Sequence, residues 1–339
     1  MQRFIYILPT NFDHNGISKK VDGQIAFLRR QFKVTLIANN FKTQSFFIQK
    51  LWAYIIFELS AIFYSFSADI IYIRYNTKSV CINFWLIFLS HFKPVYVEHN
   101  NIIETELLVR RRFFEQRFYL MTLYFMRWGQ FTHVAVNNEL KSYLEVKKLK
   151  QVVYAQNGYD FYDVNTRTLP PLLVDQVRDF REKFSYLAIF CGNGYTWHGV
   201  DDIIKLLSSK TDIGLLIVGP YTLQDSDQYL QFANLDTNSI SYLIEQCDFS
   251  ISSFRLDMIN ISEGSLLKSR QYLCHGCPVL VNYYDCASDF DALKPFIIDY
   301  RDHQDDWYDK ITSLGDSKNE LRRLACKYLN WDNYFNQFL

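Results

Sequence analysis

One stretch of the chain combines an acidic turn, a short helix and a buried strand, and it reads EGSLLKSRQYLCHGCPVLV from residue 263 to 281. Glu263 and Gly264 precede the predicted helix, so the backbone amides of its first turn are free to donate to an anionic or hydroxyl-rich ligand. Gly276 is typical of a helix end, Pro278 prevents continuation of the helix, and Val279–Val281 has the pattern of a short buried strand. This arrangement predicts a ligand site without specifying the ligand.

A second group of candidate residues follows a β-rich run in the first half, within VYVEHNN at residues 95–101. His99 lies where that strand ends, and the carboxyl ends of parallel strands are where ligands collect. Alternation along the strand points either Glu98 or His99 toward the ligand. Gly16, after the first predicted strand, would let the backbone approach a phosphate closely.

Short β-rich runs alternate with helical patterns through the first half of the chain. The predicted strands are Phe4–Leu8, Val34–Ala38, Ile70–Arg74, Val95–Glu98, His133–Val136 and Val152–Ala155. The predicted helices are Val21–Gln31, Phe46–Phe66, Val80–Phe92 and Arg112–Phe125. Parallel strands need crossover connections of this kind, so the pattern predicts one doubly wound α/β domain.

The alternation is lost between Asp160 and Glu182, where Pro170 and Pro171 restrict the backbone, and this segment is the best linker candidate. Beyond it the alternation resumes and predicts a second doubly wound domain. The predicted strands there are Leu187–Cys191, Gly214–Val218, Phe249–Ser252 and Phe296–Asp299, and the predicted helices are Asp201–Ser208, Ser239–Gln246 and a final stretch from 305 to 339. Two such domains joined by a linker are expected to face a cleft that binds the ligand.

Composition excludes several classes of protein. Lys+Arg and Asp+Glu are both 36 among 339 residues, so no overall charge favours nucleic acid. The seven cysteines are odd in number and scattered, which does not indicate a disulfide framework. The apolar run at the start is too short for a secretion signal. Gln49, Lys50 and Glu58 interrupt the apolar stretch 46–66, which therefore predicts a core or interface helix rather than a membrane span. We expect a cytoplasmic protein.

Six segments, in this order, resemble the motifs of the retaining GT-B glycosyltransferases of family 4, also called group 1, over essentially the whole chain. They are PTNFDHNGISKKVDGQIAFLRRQFKVTLIA, VYVEHNN, VVYAQNGYDF, FCGNGYTWHGVDDIIKLL, LIEQCDFSISSF and EGSLLKSRQYLCHGCPVLV. The resemblance implies an α/β fold of two Rossmann-like doubly wound domains facing a cleft, with a C-terminal helix returning to the N-terminal domain. The expected bounds are 1–165 for the acceptor-binding domain, 166–185 for the linker, 186–320 for the nucleotide-sugar-binding domain and 321–339 for the returning helix.

The resemblance also implies an activity. A sugar would pass from a UDP- or GDP-linked donor to a saccharide or glycolipid acceptor with retention of configuration, without metal or other cofactor, in the assembly of bacterial surface polysaccharide. Glu263 would accept hydrogen bonds from donor-sugar hydroxyls, and Gln271, eight positions later, from the ribose hydroxyls. His99 would contact the donor sugar. The remaining donor-binding positions would be Gly16, Asn193, His198, Gly264, Ser265 and Leu266.

Three positions depart from the family pattern. Gln271 stands where the family has a second glutamate, and an amide is the weaker acceptor. Asn193 and His198 stand where the family has the arginine and lysine that bind the diphosphate, although a diphosphate beside His198 would favour its protonated form. Lys268 and Arg255 are the nearest basic residues that could replace the lost charge, and we favour Lys268. The alternative is that Lys268 is an ordinary solvated lysine of a helix.

Two further motifs have competing interpretations. Cys274 and Cys277 have the spacing of half a zinc site, but no second CxxC exists in the chain, so we expect an ordinary helix end. The run 110–128 interleaves arginines with aromatic residues. It indicates either a surface that meets anionic membrane lipid or a partly buried helix with a solvated basic end. In the first case the contacts would come from Arg110, Arg111, Arg112 and Arg117, and the protein would be peripheral on the inner face of the plasma membrane.

Two other functions fit the same architecture. A nucleotide-sugar epimerase would need no separate acceptor, so conversion of a UDP-sugar by the protein alone would distinguish it from a transferase. A non-catalytic partner protein with a degenerate donor site is suggested by Asn193 and Gln271, and the absence of nucleotide binding would distinguish it.

Overall fold

A computed structural model describes residues 1–9, 15–39, 47–76, 79–161 and 163–339 of the chain. The chain divides into two compact units. The first comprises residues 1–156 and 331–339, and the second comprises residues 157–330.

The first unit contains one parallel sheet with the strand order β2-β1-β3-β4-β5-β6. The strands are β1 (Arg3–Leu8), β2 (Lys33–Ala38), β3 (Ile70–Arg74), β4 (Val95–His99), β5 (Phe131–Ala135) and β6 (Val152–Tyr154). The helices are α1 (Asn15–Arg29), α2 (Phe47–Ser67), α3 (Val80–Leu89), α4 (Ile103–Val109), α5 (Phe113–Met126) and α6 (Asn138–Val146). The central strands β1 and β3 are almost entirely buried, as continuous apolar runs in parallel sheets should be.

Helices cover both faces of this sheet. The connection from β1 to β2 runs along the sheet in one direction, and the later connections run in the other. Because such connections are right-handed, α1 lies on one face of the sheet and α2, α3 and α5 lie on the opposite face. The C-terminal residues also belong to this unit, where helix α13 (Trp331–Phe335) packs beside α1. The rings of Phe27 and Phe335 stack at a centroid distance of 4.8 Å. The predicted return of the C-terminal helix to the N-terminal domain is therefore confirmed.

The second unit contains a parallel sheet with the strand order β14-β12-β10-β7-β8-β9. Its strands are β7 (Tyr186–Cys191), β8 (Ile213–Val218), β9 (Tyr229–Phe232), β10 (Phe249–Ile251), β12 (Val279–Val281) and β14 (Ile297–Asp299). Two short strands, β11 (Glu263–Gly264) and β13 (Tyr284–Asp285), pair separately. The helices are α7 (Pro171–Arg181), α8 (Val200–Leu207), α9 (Thr237–Gln246), α10 (Leu267–Cys274), α11 (Trp307–Thr312) and α12 (Lys318–Tyr328). The predicted fold class, two Rossmann-like α/β domains, is confirmed.

Some local predictions were wrong. The segment 160–182, expected to be irregular, contains α7, whose Leu173, Val177 and Phe180 are buried. Pro171 occupies its first position, where a missing N–H costs nothing, so the proline pair begins a helix rather than preventing one. Helices α4 and α6 were also missed, although Asn137 caps α6 by accepting from the Leu140 amide.

Helix α2 was expected to be a core or interface helix rather than a membrane span. Among the described residues, no helix is both long and apolar enough to cross a membrane. One side of α2 does pack into the unit, where Phe57 and Ala61 join the core beneath the sheet.

Candidate functional site

The predicted site residues of the second unit gather where its strand order reverses. Strands β7 and β10 are neighbours, and the chain leaves them in opposite directions along the sheet. Doubly wound sheets bind ligands at the carboxyl ends of the strands at this switch point. The chain after β7 contains Asn193 and His198, and the chain after β10 leads through Glu263 into α10. The topology therefore brings both groups to one edge of the sheet.

Helix α10 is fixed to the ends of both strands by side-chain hydrogen bonds. The Tyr272 hydroxyl accepts from the backbone N–H of Cys191, the last residue of β7, at 2.8 Å. Beyond β10, the Ser252 hydroxyl lies 3.0 Å from that of Ser269 and 2.9 Å from that of Tyr283. The two bonds of Ser252 are buried, and together these contacts hold the helix over the switch point.

The acidic turn before α10 is a short strand. Glu263 and Gly264 form β11, which pairs with Tyr284 and Asp285. Glu263 is buried, and one of its carboxylate oxygens accepts from the Cys286 thiol at 3.4 Å. A Cβ at position 264 would lie 2.9 Å from the ring of Tyr283, so only glycine fits there without movement.

Ser265 links the turn to the start of the second unit. Its hydroxyl accepts from the Asn157 backbone N–H at 2.8 Å, and its carbonyl accepts from the Asn157 side-chain amide at 2.6 Å. This role of Asn157 was not predicted from the sequence. The two residues are 108 positions apart, so only the fold brings them together.

A buried ion pair lies beneath the same turn and was also missed. Arg270 is completely buried on α10, and its guanidinium pairs with Asp285 and donates to the Ser265 hydroxyl at 3.1 Å. Asp285 further accepts from the Tyr283 hydroxyl at 3.0 Å and from the Ala287 backbone N–H at 2.9 Å. Because the Asp285 carboxylate already accepts from several donors, we infer that the Arg270–Asp285 pair positions the turn and does not face a ligand.

Lys268 and Gln271 take no part in this network. The Lys268 ammonium and the Gln271 amide nitrogen are both buried, and neither has a hydrogen-bond partner among the described residues. The Lys268 Nζ lies over the ring of Phe190, 4.7 Å from its centroid, and burial lowers its pKa to about 7. Buried polar groups almost always have partners, so two unpaired donors one helical turn apart indicate a place for acceptor atoms from elsewhere. Lys268 is not the solvated helix residue of the alternative interpretation.

His198 lies close to this lysine. Its imidazole is buried, with Nδ1 2.9 Å from the Tyr221 hydroxyl. Burial, and then the charge of Lys268, lower the pKa of His198 to about 2, so the ring is neutral at pH 7 in this structure. The next residue, Gly199, lies just before α8 and has φ +67°, a conformation that glycine adopts readily.

Asn193, where the family arginine is absent, and Arg255, the other candidate to replace the lost charge, are exposed to different degrees. Asn193 is exposed in the turn after β7. Arg255 is partly exposed and already paired, because its guanidinium lies 3.2 Å from Asp202 and 3.1 Å from Asp257. With its charge matched by two carboxylates, Arg255 is a weaker diphosphate ligand than Lys268.

His99 and Glu98 lie in the first unit at the carboxyl end of β4, on opposite faces of the sheet, and both are buried. His99 Nε2 is 3.1 Å from Nδ1 of His133, its ring stacks on Tyr75 at 5.0 Å, and burial lowers its pKa to about 3. The proposed contact with a donor sugar remains a prediction for this histidine, which is neutral at pH 7.

Glu98 is occupied by an internal network. Its carboxylate lies 3.0 Å from the Lys20 ammonium and accepts from Gln24 at 2.8 Å and from the Tyr334 hydroxyl at 3.0 Å. Burial opposes its ionisation, but Lys20, nearby Arg74 and the hydrogen bonds together hold the pKa of Glu98 well below its usual value. Glu98 therefore joins β4 to α1 and α13 and is not the ligand-facing rival of His99.

Two other predictions concern Gly16 and the cysteine pair. Gly16 lies in the first turn of α1 rather than in a loop, and the preceding residues 10–14 are outside the described part of the chain. Cys274 ends α10, and Gly276 follows with φ +77°, as the sequence predicted. Both Cys274 and Cys277 are buried. No group of three or more His, Cys, Asp or Glu side chains among the described residues could hold a metal ion.

No protein-family model matches the chain, and no curated protein matches it in sequence. Solved structures match it over nearly its whole length. HepE from Anabaena in complex with UDP and glucose is 11% identical, with 99% of this chain and 98% of that chain covered and a TM-score of 0.62. An α-glucosyltransferase in complex with UDP and a 13-mer DNA containing a HMU base is 13% identical, with 99% and 97% covered and a TM-score of 0.59.

A third match belongs to another class of enzyme. A protein from Listeria monocytogenes, provisionally named a UDP-N-acetylglucosamine 2-epimerase, is 11% identical, with 99% of this chain and 93% of that chain covered and a TM-score of 0.52. At these identities the likeness shows a common fold.

Proposed function

We propose, from the GT-B fold that the chain shares with these structures, that it is a glycosyltransferase acting on a nucleotide sugar. The supporting observation is the pair of unpaired buried donors on α10, Lys268 Nζ and Gln271 Nε2, on the helix that follows the buried Glu263. A buried donor without an acceptor destabilises the protein, so its retention is best explained by a ligand that supplies one. A diphosphate and a ribose provide such acceptor atoms.

Each side chain then has a role. Glu263 accepts from hydroxyls of the donor sugar, Gln271 meets the ribose, and Lys268 with His198 lies near the diphosphate. The donor is UDP- or GDP-linked, and the acceptor hydroxyl attacks the anomeric carbon on the face from which the diphosphate leaves, with retention and without metal. Catalysis depends on positioning and on stabilising the charge of the leaving diphosphate. His99 and Gly16 keep the roles predicted for them, a contact with the donor sugar and a close approach of the backbone to a phosphate.

The acceptor is a saccharide or glycolipid of bacterial surface polysaccharide, such as capsule, O-antigen or exopolysaccharide. The protein works in the cytoplasm, peripheral on the inner face of the plasma membrane, with Arg110, Arg111, Arg112 and Arg117 toward the lipid. Arginine-rich surfaces with interleaved aromatic residues suit that location.

The test begins with binding. A panel of UDP, GDP and their sugars is screened by thermal shift, and a ligand at 100 times its Kd should stabilise the fold by about 2.7 kcal/mol. Transfer from the ligand found is then measured for wild type, for Glu263→Gln and for the control Glu320→Gln, whose carboxylate is exposed on α12. We expect Glu263→Gln to lose about a hundredfold or more of the turnover, the scale of removing one group that stabilises a transition state, and Glu320→Gln to lose none. Unchanged turnover in Glu263→Gln would exclude the role of Glu263.

An epimerase is the second candidate, because of the structural likeness to the Listeria monocytogenes protein. Conversion of a UDP-sugar to its epimer by the protein alone, without an acceptor, would select this function. If no nucleotide or nucleotide sugar binds, the non-catalytic partner protein suggested by Asn193 and Gln271 is selected instead.

A further inference from the structure

The outer surface of three helices in the first unit is unusually apolar. Of the 25 large hydrophobic side chains that are exposed among the described residues, 18 lie between Leu51 and Trp128: eight on α2, three on or just after α3, and seven on or just after α4 and α5. Residues 157–330 contribute only four. Exposed apolar side chains are common singly, so it is their concentration on these helices that requires an explanation.

These helices form one continuous surface. Helices α2, α3 and α5 lie on the same face of the sheet, since their crossovers run in the same direction. Aromatic contacts join them in that order. The rings of Phe66 on α2 and Trp85 on α3 are 4.8 Å apart, and those of Phe84 on α3 and Phe125 on α5 are 5.1 Å apart.

Helix α2 provides the clearest part of this surface. Its residues Trp52, Ile56, Leu59, Phe63 and Phe66 recur at spacings of four and three, which places them in one stripe along the helix. All five are at least 60% exposed. The opposite side of the helix is already buried in the core, so α2 carries apolar side chains on two opposite sides, a pattern expected of a helix that is covered on both.

The exposed stripe continues across α3 and α5. On α3 and just after it, Phe84, Phe88 and Phe92 are exposed, and on α5 and just after it, Tyr124 and Trp128. These five side chains together with the stripe of α2 are called the aromatic face below. None of them carries a charge, and the carboxylate of Glu58 on α2 is turned inward, where it accepts from the Ile82 amide at 2.6 Å.

A cluster of arginines lies at the start of α5. Arg110 and Arg112 pair with Glu106 at 2.9 Å and with Glu115 at 3.3 Å. Arg111 and Arg117 are exposed and make no ion pair with any described residue. Phe113 and Phe114, between these arginines, are also exposed, so positive charge and apolar surface meet at this point.

We propose that the aromatic face is the surface by which the protein docks on a lipid bilayer containing anionic lipid. Tryptophan and tyrosine side chains favour the level of the headgroups, apolar side chains enter the acyl boundary, and arginines are attracted to anionic headgroups. The structure thereby extends the membrane contact beyond the arginine run to α2 and α3. A second copy of the chain fits less well, because a two-fold interface would repeat the same unmatched arginines on both sides.

The experiment uses the full chain and vesicles of phosphatidylcholine, with and without phosphatidylglycerol. We expect sedimentation with the anionic vesicles, much weaker sedimentation with phosphatidylcholine alone, and partial release by salt. Cys81, exposed on α3, accepts an environment-sensitive fluorophore, whose emission should shift to the blue on anionic vesicles.

Two variants separate the apolar and the charged contributions. Ile56→Ser/Leu59→Ser/Phe63→Ser should lower the vesicle partition coefficient by about a hundredfold or more, and its control Leu172→Ser, an exposed leucine of α7, should not change it.

The charged variant Arg111→Glu/Arg117→Glu should lower the vesicle partition coefficient about thirtyfold, at about fivefold for each basic residue near the membrane. Its control, Lys150→Glu/Lys183→Glu, makes the same change of charge at two exposed lysines elsewhere and should have much less effect.

Three results would overturn the proposal. Equal loss of binding in the variants and their controls would mean that the contact is not at this face. A monomer in solution that fails to bind either kind of vesicle would exclude bilayer docking. A dimer that the α2 triple variant dissociates, with no vesicle binding by wild type, would assign the aromatic face to a second copy of the chain. None of these results depends on whether the protein transfers a sugar.

Discussion

Replacing Lys268 by methionine should make the ligand-free protein more stable while weakening its binding of a nucleoside diphosphate. The Lys268 ammonium is buried over the Phe190 ring and has no hydrogen-bond partner among the described residues. Methionine has a similar length, keeps the contact with the ring and leaves no donor unpaired. The same substitution removes the positive charge that we assign to the diphosphate.

The magnitude follows from the lowered pKa. Burial lowers the pKa of Lys268 from 10.5 to about 7. A shift of that size corresponds to roughly 4 kcal/mol of destabilisation at pH 7. Mutational data on unpaired buried groups indicate that removing such a group restores about 1 to 3 kcal/mol of stability. We therefore expect the free energy of unfolding of Lys268→Met to exceed that of wild type by about 1 to 3 kcal/mol.

The sign of the pH dependence is fixed. Between pH 7 and 10.5 the unfolded lysine binds a proton that the folded lysine does not, so wild-type stability rises with pH through this window relative to the variant. The excess in free energy of unfolding of Lys268→Met over wild type is largest below about pH 7 and disappears as the pH approaches 10.5.

Urea unfolding from pH 6 to 10 measures the difference in stability. Lys205→Met, an exposed lysine of the neighbouring helix α8, is the matched control and should change stability by less than about 0.5 kcal/mol. Calorimetry with UDP in buffers of different ionisation enthalpy measures the second effect. At pH 7 wild type should take up about half a proton on binding, because an anion raises the pKa of a lysine that is half protonated. Lys268→Met should bind more weakly and take up less.

A Lys268→Met protein less stable than wild type at pH 6 would show that the ammonium has a partner or lies in water, and the argument from an unpaired buried donor would fail. Equal UDP affinity in the two proteins, with equal proton uptake, would remove Lys268 from the diphosphate site even if the stability prediction held.

Three further predictions concern the fold. Gly276→Ala should lower the free energy of unfolding, measured in urea, by at least about 1 kcal/mol. The reason is that φ is +77° at this position and the new Cβ would lie 2.5 Å from the Lys318 carbonyl oxygen. In the control Gly315→Ala the new Cβ meets no atom within 4 Å, so this change should be nearly neutral. Arg270→Met should cost about 3 to 5 kcal/mol by leaving Asp285 buried and unpaired, and adding Asp285→Asn should restore part of that loss; equal stability of the single and double variants would contradict this account. Glu98→Gln should lower the free energy of unfolding at pH 7 and reduce its fall between pH 5 and 3. The pKa of Glu98 is depressed in the folded protein, so its carboxylate stabilises the fold above pH 4.5 and this contribution is lost on acidification. An unchanged acid-unfolding profile would refute this account.

The sequence predicted most of the alternation of strands and helices because that information is local. Ile70–Arg74 and Val279–Val281 are strands with the predicted bounds, and α10 ends where Gly276 and Pro278 require it. Other elements were missed for identifiable reasons. Pro170 and Pro171 were interpreted as part of a linker, although Pro171 begins α7, and the cap at Asn137 was overlooked.

The chemistry of the candidate site was only partly accessible in this way. The order of motifs placed Glu263, Lys268 and His198 at one edge of a sheet, and the strand order supports that placement. The residues that pack beside Lys268 decide whether it is solvated or buried. In the same way, residues distant in sequence decide whether Glu98 faces a ligand or an internal lysine. Lys20 lies 78 positions from Glu98, and no periodicity pairs them.

The sequence by itself determined the two α/β repeats, the helix end after α10 and the composition of the acidic turn, because propensities, glycine and proline act over a few residues. Only the tertiary structure decided that Arg270 is buried against Asp285, that Asn157 supports Ser265, and that α2 exposes a second apolar side. Burial is a property of what packs around a side chain, and it is burial that gives Lys268 its lowered pKa and its unpaired donor.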